Sequence, residues 1–182
     1  MSVDPRVRSR VLQQGHEELR RLQGPIFDFE AFGSPVPDRF RFKFTLKSVL
    51  RVNGDRPVYT NAGHIHILEF KAPASYPESI TNDDIRFVTT PIFHPNVFRD
   101  GRICVGGFVP SESLGRFALR MGRMIKFDRA YINENSAANS DAATWYKRHL
   151  SEFPVDPVAL PSLDRFISGA RQKTFIPGSV KR

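Results

Sequence analysis

The chain holds a single cysteine, Cys104, among its 182 residues. One thiol cannot close an internal disulfide, and it cannot supply the several thiolates of a structural zinc site. No segment approaches the ~20 consecutive apolar residues that span a bilayer, so no membrane association is expected. Residues 1 to 6 lack the apolar core of a secretory signal, and the expected compartment is the cytoplasm. Acidic residues are in deficit: 19 Asp and Glu stand against 27 Lys and Arg, a formal charge of +8. Such a balance suits an acidic partner, protein or nucleic acid. Yet no run of five or more Lys and Arg is interleaved with aromatics, so nucleic acid is not an expected partner.

What remains is the composition of an ordinary globular protein, 40% hydrophobic and 25% charged. One domain with short appendages is expected, and a chain of this length buries about 70% of its unfolded surface without help from a metal.

The patterning predicts a helix over residues 6 to 23, where Val7, Val11, Leu12, Leu19 and Leu22 recur at helical spacing. Asp4-Pro5 supplies its start and Gly24-Pro25 its stop. A strand follows over 26 to 32. In the next, Phe40, Phe42, Phe44 and Leu46 alternate with polar residues at a strict period of two. Asn53-Gly54-Asp55 is a turn signal. A third strand carries His64, His66, Leu68 and Phe70 on one face, and a short fourth runs from 85 to 88. Residues 89 to 110 read as a structured loop, since Phe93, Val97, Ile103 and Val105 punctuate it with apolar anchors. Helices are predicted over 117 to 132, over 140 to 153 with Ser140-Asp141 as cap, and over about 162 to 173. The order of helix, four strands, loop and helices indicates an α+β fold with an antiparallel sheet.

Cys104 itself has two readings, an inert buried thiol or a nucleophile. Its surroundings bear on the choice. It stands after a carboxamide, an imidazole and the Asp100-Gly101 turn, in an irregular segment that a large substrate can reach. A cysteine hydrolase would pair the thiol with a His base that meets it in space rather than in sequence. An Asn side chain about 3 Å from a developing oxyanion would stabilise it.

The stretch Phe93-His94-Pro95-Asn96-Val97-Phe98-Arg99-Asp100-Gly101-Arg102-Ile103-Cys104 resembles the active-site signature of ubiquitin-conjugating enzymes. In those enzymes His-Pro-Asn precedes a short loop usually ending in Gly-x-Ile-Cys. Pro73-Ala74-Ser75-Tyr76-Pro77 resembles the family's Phe-Pro-x-x-Tyr-Pro segment, with Ala72 in the place of Phe. Ala143-Thr144-Trp145-Tyr146-Lys147 resembles its Ala-x-x-Tyr-Lys. The likeness follows element order over residues 6 to 153 and is specific at 93 to 104.

The resemblance implies a ubiquitin-conjugating-enzyme fold over residues 1 to 153, with 154 to 182 as a linker, short helix and tail. It implies that Cys104 accepts the C-terminus of ubiquitin or a ubiquitin-like protein from an activating enzyme and passes it to an acceptor protein. Asn96 would stabilise the oxyanion or shape the loop, and His94 would order the loop around it. Ser136, with Asn135 and Asn139 nearby, falls by ungapped counting where the family positions the incoming lysine. No cofactor and no metal is implied. Three departures mark a divergent member. Glu78-Ser79-Ile80-Thr81-Asn82-Asp83-Asp84 replaces the family's Pro-Pro, its Trp after the cysteine is missing, and Ser113-Leu114-Gly115 stands where Ser-Pro-Ala docks a ligase. The need for a ligase is thus left open. An excess of Arg over Lys fits a prokaryotic source. The other reading of the same resemblance is a non-catalytic scaffold or binding module.

Outside the signature, His64 and His66 lie two apart without an apparent third metal ligand, so packing or surface placement is expected. Arg6, Arg8 and Arg10 on the first helix, and Arg116, Arg120 and Arg123 on a later one, read as solvated faces first and partner surfaces second.

Overall fold

The computed structural model describes residues 3 to 106 and 112 to 164. The first helix, α1, spans Pro5–Leu22, with the Asp4 carboxylate accepting from the Arg6 N–H at 2.7 Å. This cap and Pro5 in the first turn start the helix as the sequence predicts. Its buried stripe is Leu12, Leu19 and Leu22, joined by Gly15.

Six strands follow: β1 (Phe27–Phe32), β2 (Arg39–Thr45), β3 (Val49–Asn53), β4 (Arg56–Tyr59), β5 (Ile65–Lys71) and β6 (Ile85–Phe87). Four of them form one antiparallel sheet in the order β1-β2-β5-β6. The other two pair only with each other, as a hairpin inserted between β2 and β5. The sequence shows the hairpin's turn but not its strands, which are short and carry Arg51, Arg56 and Pro57.

Alternation decides which face of the sheet is covered. Phe40, Phe42 and Phe44 of β2 are fully buried, as are His66, Leu68 and Phe70 of β5. The register sets Phe40 opposite Phe70, Phe42 opposite Leu68 and Phe44 opposite His66. Each buried Phe or Leu side chain stabilises the fold by about 1.5–3 kcal/mol. Helix α2, Leu114–Ile125, covers this face, and its Phe117 ring lies 5.1 Å from that of Phe70 and 6.4 Å from that of Phe42. The α1–α2 contact is close because Gly15 has no side chain: a Cβ there would lie 2.6 Å from Leu114 Cβ.

The second helix departs from the sequence reading at both ends. It begins at Leu114, because Ser113 caps it by accepting from the Arg116 N–H. Ser113-Leu114-Gly115 is therefore cap and first turn rather than loop. It ends at Ile125, because Phe127 takes a positive φ of 62° that turns the chain out of the helix. A single 3-10 turn then occupies Arg129–Tyr131. Helix α3 spans Ser140–Arg148 and is followed by a 3-10 turn over Leu150–Glu152, so the helix expected over 140 to 153 is broken at His149. Its cap is Asn139 rather than Ser140.

A second cluster of buried residues, including Val49, Phe127, Trp145, Tyr146 and Phe153, joins the hairpin to α3. The Trp145 indole N–H donates to the Asp55 carbonyl at 3.0 Å. Beyond α3 the chain returns across α2, where Leu160 and Leu163 pack against the main core. Past Asp164 the predicted last helix and tail lie outside the described residues. Among the described residues no helix is long and apolar enough to cross a membrane.

Candidate active site

The segment from Val88 to Gly106 has no regular structure, yet its backbone is tied down at many points. The Phe93 N–H donates to the Val49 carbonyl at 2.9 Å, and Ile103 N–H to Ile85 at 3.2 Å. Phe98 and Arg102 close a tight loop around Asp100-Gly101, with Phe98 N–H donating to Arg102 at 2.9 Å. The Arg102 guanidinium braces that loop by donating to Asp100 and to Asp83, each at 2.7 Å. Val97 and Ile103 are paired in an isolated bridge and buried beneath it. Cys104 follows Ile103 and is half-buried, between two residues that are not exposed. The alternation anchors the backbone through Ile103 and Val105 and leaves the thiol reachable.

His94, Pro95 and Asn96 form the support of this thiol. The Cys104 N–H donates to the Asn96 carbonyl at 2.7 Å. The Asn96 N–H donates to His94 Nδ1 at 2.9 Å. His94 is fully buried, its ring 4.4 Å from that of Phe127, and burial pushes its pKa down to about 3. An imidazole held neutral, with Nδ1 already accepting, orders a turn and is not placed to act as a base. Asn96 is 8% exposed, and both ends of its carboxamide are engaged. Nδ2 donates to the Tyr131 carbonyl at 3.0 Å, and Oδ1 accepts from the Asn133 N–H at 2.9 Å. Asn96 thereby clips the chain around Tyr131–Asn133 to the loop that ends at Cys104. Tyr131 has a second link, its hydroxyl accepting from Arg123 at 2.8 Å.

Cys104 and Asn96 line one cleft of about 340 Å³, together with Val105, Gly106, Arg120, Met121, Met124 and residues 130 to 133. No His, Asp or Glu is among the described residues lining it. Residues 107 to 111, whose sequence is Gly-Phe-Val-Pro-Ser, contain none either. Among the described residues the cleft offers a reachable thiol, the Asn96 carboxamide and an apolar floor, with no His, Asp or Glu in its lining. It can hold an acyl group as a thioester and deny water an adjacent catalyst.

Three of the four residues singled out from the sequence are thus brought together: Cys104, Asn96 and His94. Ser136 is exposed and is absent from the lining of the cleft; its N–H donates to Asn133 Oδ1 at 3.1 Å. Asn133, which the Asn96 carboxamide also holds, escaped the sequence reading, as did Tyr131. Nothing local marks either residue, because their partner lies more than thirty positions away.

His66 is fully buried, its Nε2 donating to the Leu46 carbonyl at 3.1 Å, and its ring centroid is 4.6 Å from that of His64. Burial, with the His64 charge adding to it, pushes its pKa down to about 4. Among the described residues no group of three or more His, Cys, Asp or Glu is placed to hold a metal ion. The arginines are not all solvated. Arg8 donates to the carbonyls of Ala72 and Pro73, at 2.7 and 3.1 Å, and Arg120 is half-buried against Glu112.

Neither a scan against protein-family models nor a search of curated proteins returns a match to this chain.

Proposed function

We propose that this protein is a ubiquitin-conjugating-type acyltransferase with the corresponding fold, and that Cys104 is its nucleophile. The observation that carries the reading is the His94-Pro95-Asn96 support: a reachable thiol whose backbone N–H is bonded to Asn96, in a cleft with no His, Asp or Glu among its described lining. The sheet of four antiparallel strands between α1 and the later helices, with the loop after β6 leading to the cysteine, agrees with that fold.

The chemistry is two acyl transfers. The Cys104 thiolate attacks the thioester carbonyl of a ubiquitin-like protein carried on an activating enzyme. The tetrahedral oxyanion collapses, the carrier's thiolate leaves, and the new thioester sits on Cys104. An amine of the acceptor protein, or another nucleophile, then attacks that carbonyl and loses its proton. Collapse of the second oxyanion expels the Cys104 thiolate. Asn96 spends one amide hydrogen on Tyr131 and keeps the other for the oxyanion. Its larger contribution is to hold the Tyr131–Asn133 wall against the thiol. The absence of a base beside Cys104 serves the reaction, since it slows hydrolysis of the thioester. The incoming amine must find its own positioning group, and exposed Ser136 is the candidate that the resemblance nominates.

The test is charging. Incubation with a cognate activating enzyme, ATP, magnesium and a tagged ubiquitin-like protein is expected to give one heavier band on a non-reducing gel. Thiol reductant removes that band, and Cys104→Ala never forms it. Cys104→Ser gives a reductant-resistant ester instead. If a cognate activating enzyme becomes charged and this protein does not, the enzymatic reading falls and the scaffold reading replaces it.

A further inference from the structure

The guanidinium of Arg120 occupies an unusual place. Arg116, Arg120 and Arg123 share one face of α2, but Arg116 and Arg123 are exposed while the Arg120 side chain is only 18% exposed. Its Nε and Nη2 grip the Glu112 carboxylate at 2.9 and 2.8 Å, and Glu112 is itself 17% exposed. The remaining arm, Nη1, donates to the Val105 carbonyl at 2.6 Å. The plane of the group sits 5.2 Å from the Phe117 ring. Three directions of a rigid fork are thus filled at once, which Lys cannot reproduce.

Val105 directly follows the nucleophile, and Glu112 directly precedes the cap of α2. One side chain on α2 therefore grips the chain just after Cys104 and again before the helix begins. The Val105 N–H is held as well, donating to Asn82 Oδ1 at 3.3 Å. With the Cys104 N–H bonded to Asn96, three backbone groups of Cys104 and Val105 are fixed beside the thiol. Arg120 also lines the cleft that contains Cys104.

We propose that Arg120 is a positioning residue for Cys104: its fork on Glu112 and Val105 fixes the backbone that aims the thiol into the cleft. It touches no reacting atom. Its effect on acyl transfer rests on the function proposed above, whereas its effect on the thiol's placement does not. Displacing a nucleophile by about 1 Å lowers rate by about a hundredfold.

The variants are Arg120→Lys, Arg120→Met and the double variant Arg120→Met/Glu112→Gln, which removes both charges and strands neither. Arg116→Ala is the control. Three quantities are measured on the full chain: the thermal midpoint, alkylation of Cys104 by iodoacetamide, and kcat and KM for charging from a loaded activating enzyme. The expected result is a kcat lower by about tenfold to a hundredfold with KM unchanged, since the interaction serves geometry rather than binding. Arg120→Lys does not rescue it, the double variant is no worse than Arg120→Met, and Arg116→Ala matches the parent. Alkylation becomes faster by about threefold or more as the half-buried thiol is released. In the double variant neither charge is stranded and only the Val105 carbonyl loses its donor, so these changes persist while the thermal midpoint falls no further than in Arg120→Met, which separates placement of the thiol from the burial of a lone charge. Parent-like kcat and parent-like alkylation in all three Arg120 variants overturn the proposal. If the parent chain cannot be charged at all, the function falls first. Alkylation alone then decides Arg120: faster in the variants upholds the positioning role, unchanged overturns it.

Discussion

The backbone N–H of Asn139 donates to the Pro95 carbonyl at 3.1 Å, while the Asn139 side chain accepts from the Ala142 N–H at 3.1 Å. One residue starts α3 and fastens it to the turn that supports Cys104. Asn139→Ala keeps the backbone bond and loses the cap, at a cost of about 1 kcal/mol. A fall of a few degrees in the thermal midpoint is expected, and Asn139→Asp is expected to restore it. A midpoint unchanged in the alanine variant would show that the cap contributes nothing.

The Asn96 clip is open to a sharper test. Asn96→Ala leaves the Asn133 N–H and the Tyr131 carbonyl without their partner, and stranding such groups costs about 1–3 kcal/mol. Asn96→Asp still accepts from Asn133 but sets a carboxylate oxygen against the Tyr131 carbonyl, so it is expected to be the worse of the two. Urea denaturation ranks them. The reverse order would mean that the donor to Tyr131 is not the important half of the clip.

Two buried imidazoles contribute to the acid response. Burial holds the pKa of His94 at about 3 and that of His66 at about 4 in the folded chain, both below the ordinary 6.5. The unfolded chain therefore takes up protons that the folded chain refuses. The stability that these two histidines contribute is complete above about pH 6.5 and is lost as pH drops from there, towards about 4 for His66 and about 3 for His94. The slope contributed by each histidine approaches about 1.4 kcal/mol per pH unit inside its window. Urea midpoints at about pH 7.5, 6 and 5 are expected to decline in that order. His66→Gln is expected to flatten the decline, and an equally steep one in that variant would remove His66 from the account.

Gly122 lets the returning chain reach α2. A Cβ at this position would lie 2.8 Å from Phe44 Cε1 and 3.2 Å from Leu160 Cδ1. Phe44 is fully buried and has no room to retreat. Gly122→Ala gains about 1 kcal/mol of helix propensity but meets overpacking of about 1–3 kcal/mol. A net loss of about 1 kcal/mol by urea denaturation is the expected outcome, and a stabilised variant would show that the Leu160 segment yields freely.

Much of this architecture is written in local patterns. Phe40, Phe42 and Phe44 announce β2 because burial on one face of a sheet repeats every two residues. Asp4-Pro5 announces α1 because a cap needs only its own helix. The end of α2 is not written so. Phe127 and Ile132 prolong the apolar spacing past Ile125, yet they belong to the second buried cluster, which α3 and the hairpin complete. The hairpin strands are illegible for a similar reason, since their cover comes from Trp145, some ninety positions away. In the site, the motif reveals Cys104, His94 and Asn96. It is silent on what Asn96 holds, and it leaves Arg120 looking like one more solvated arginine on a helix face. Their partners are set by the fold.

The inserted hairpin also bears on the order in which the chain assembles. Pairing β2 with β5 requires closing the loop of residues 46 to 64, and the entropy of closure rises with the length of slack chain. A hairpin closes within about 1–10 µs, ahead of longer-range pairing. Once β3 and β4 have met, with Thr60 N–H on the Ser48 carbonyl, most of that slack is already consumed. The same hairpin that braces α3 in the finished protein thus shortens the slack that pairing of the two central strands has to close.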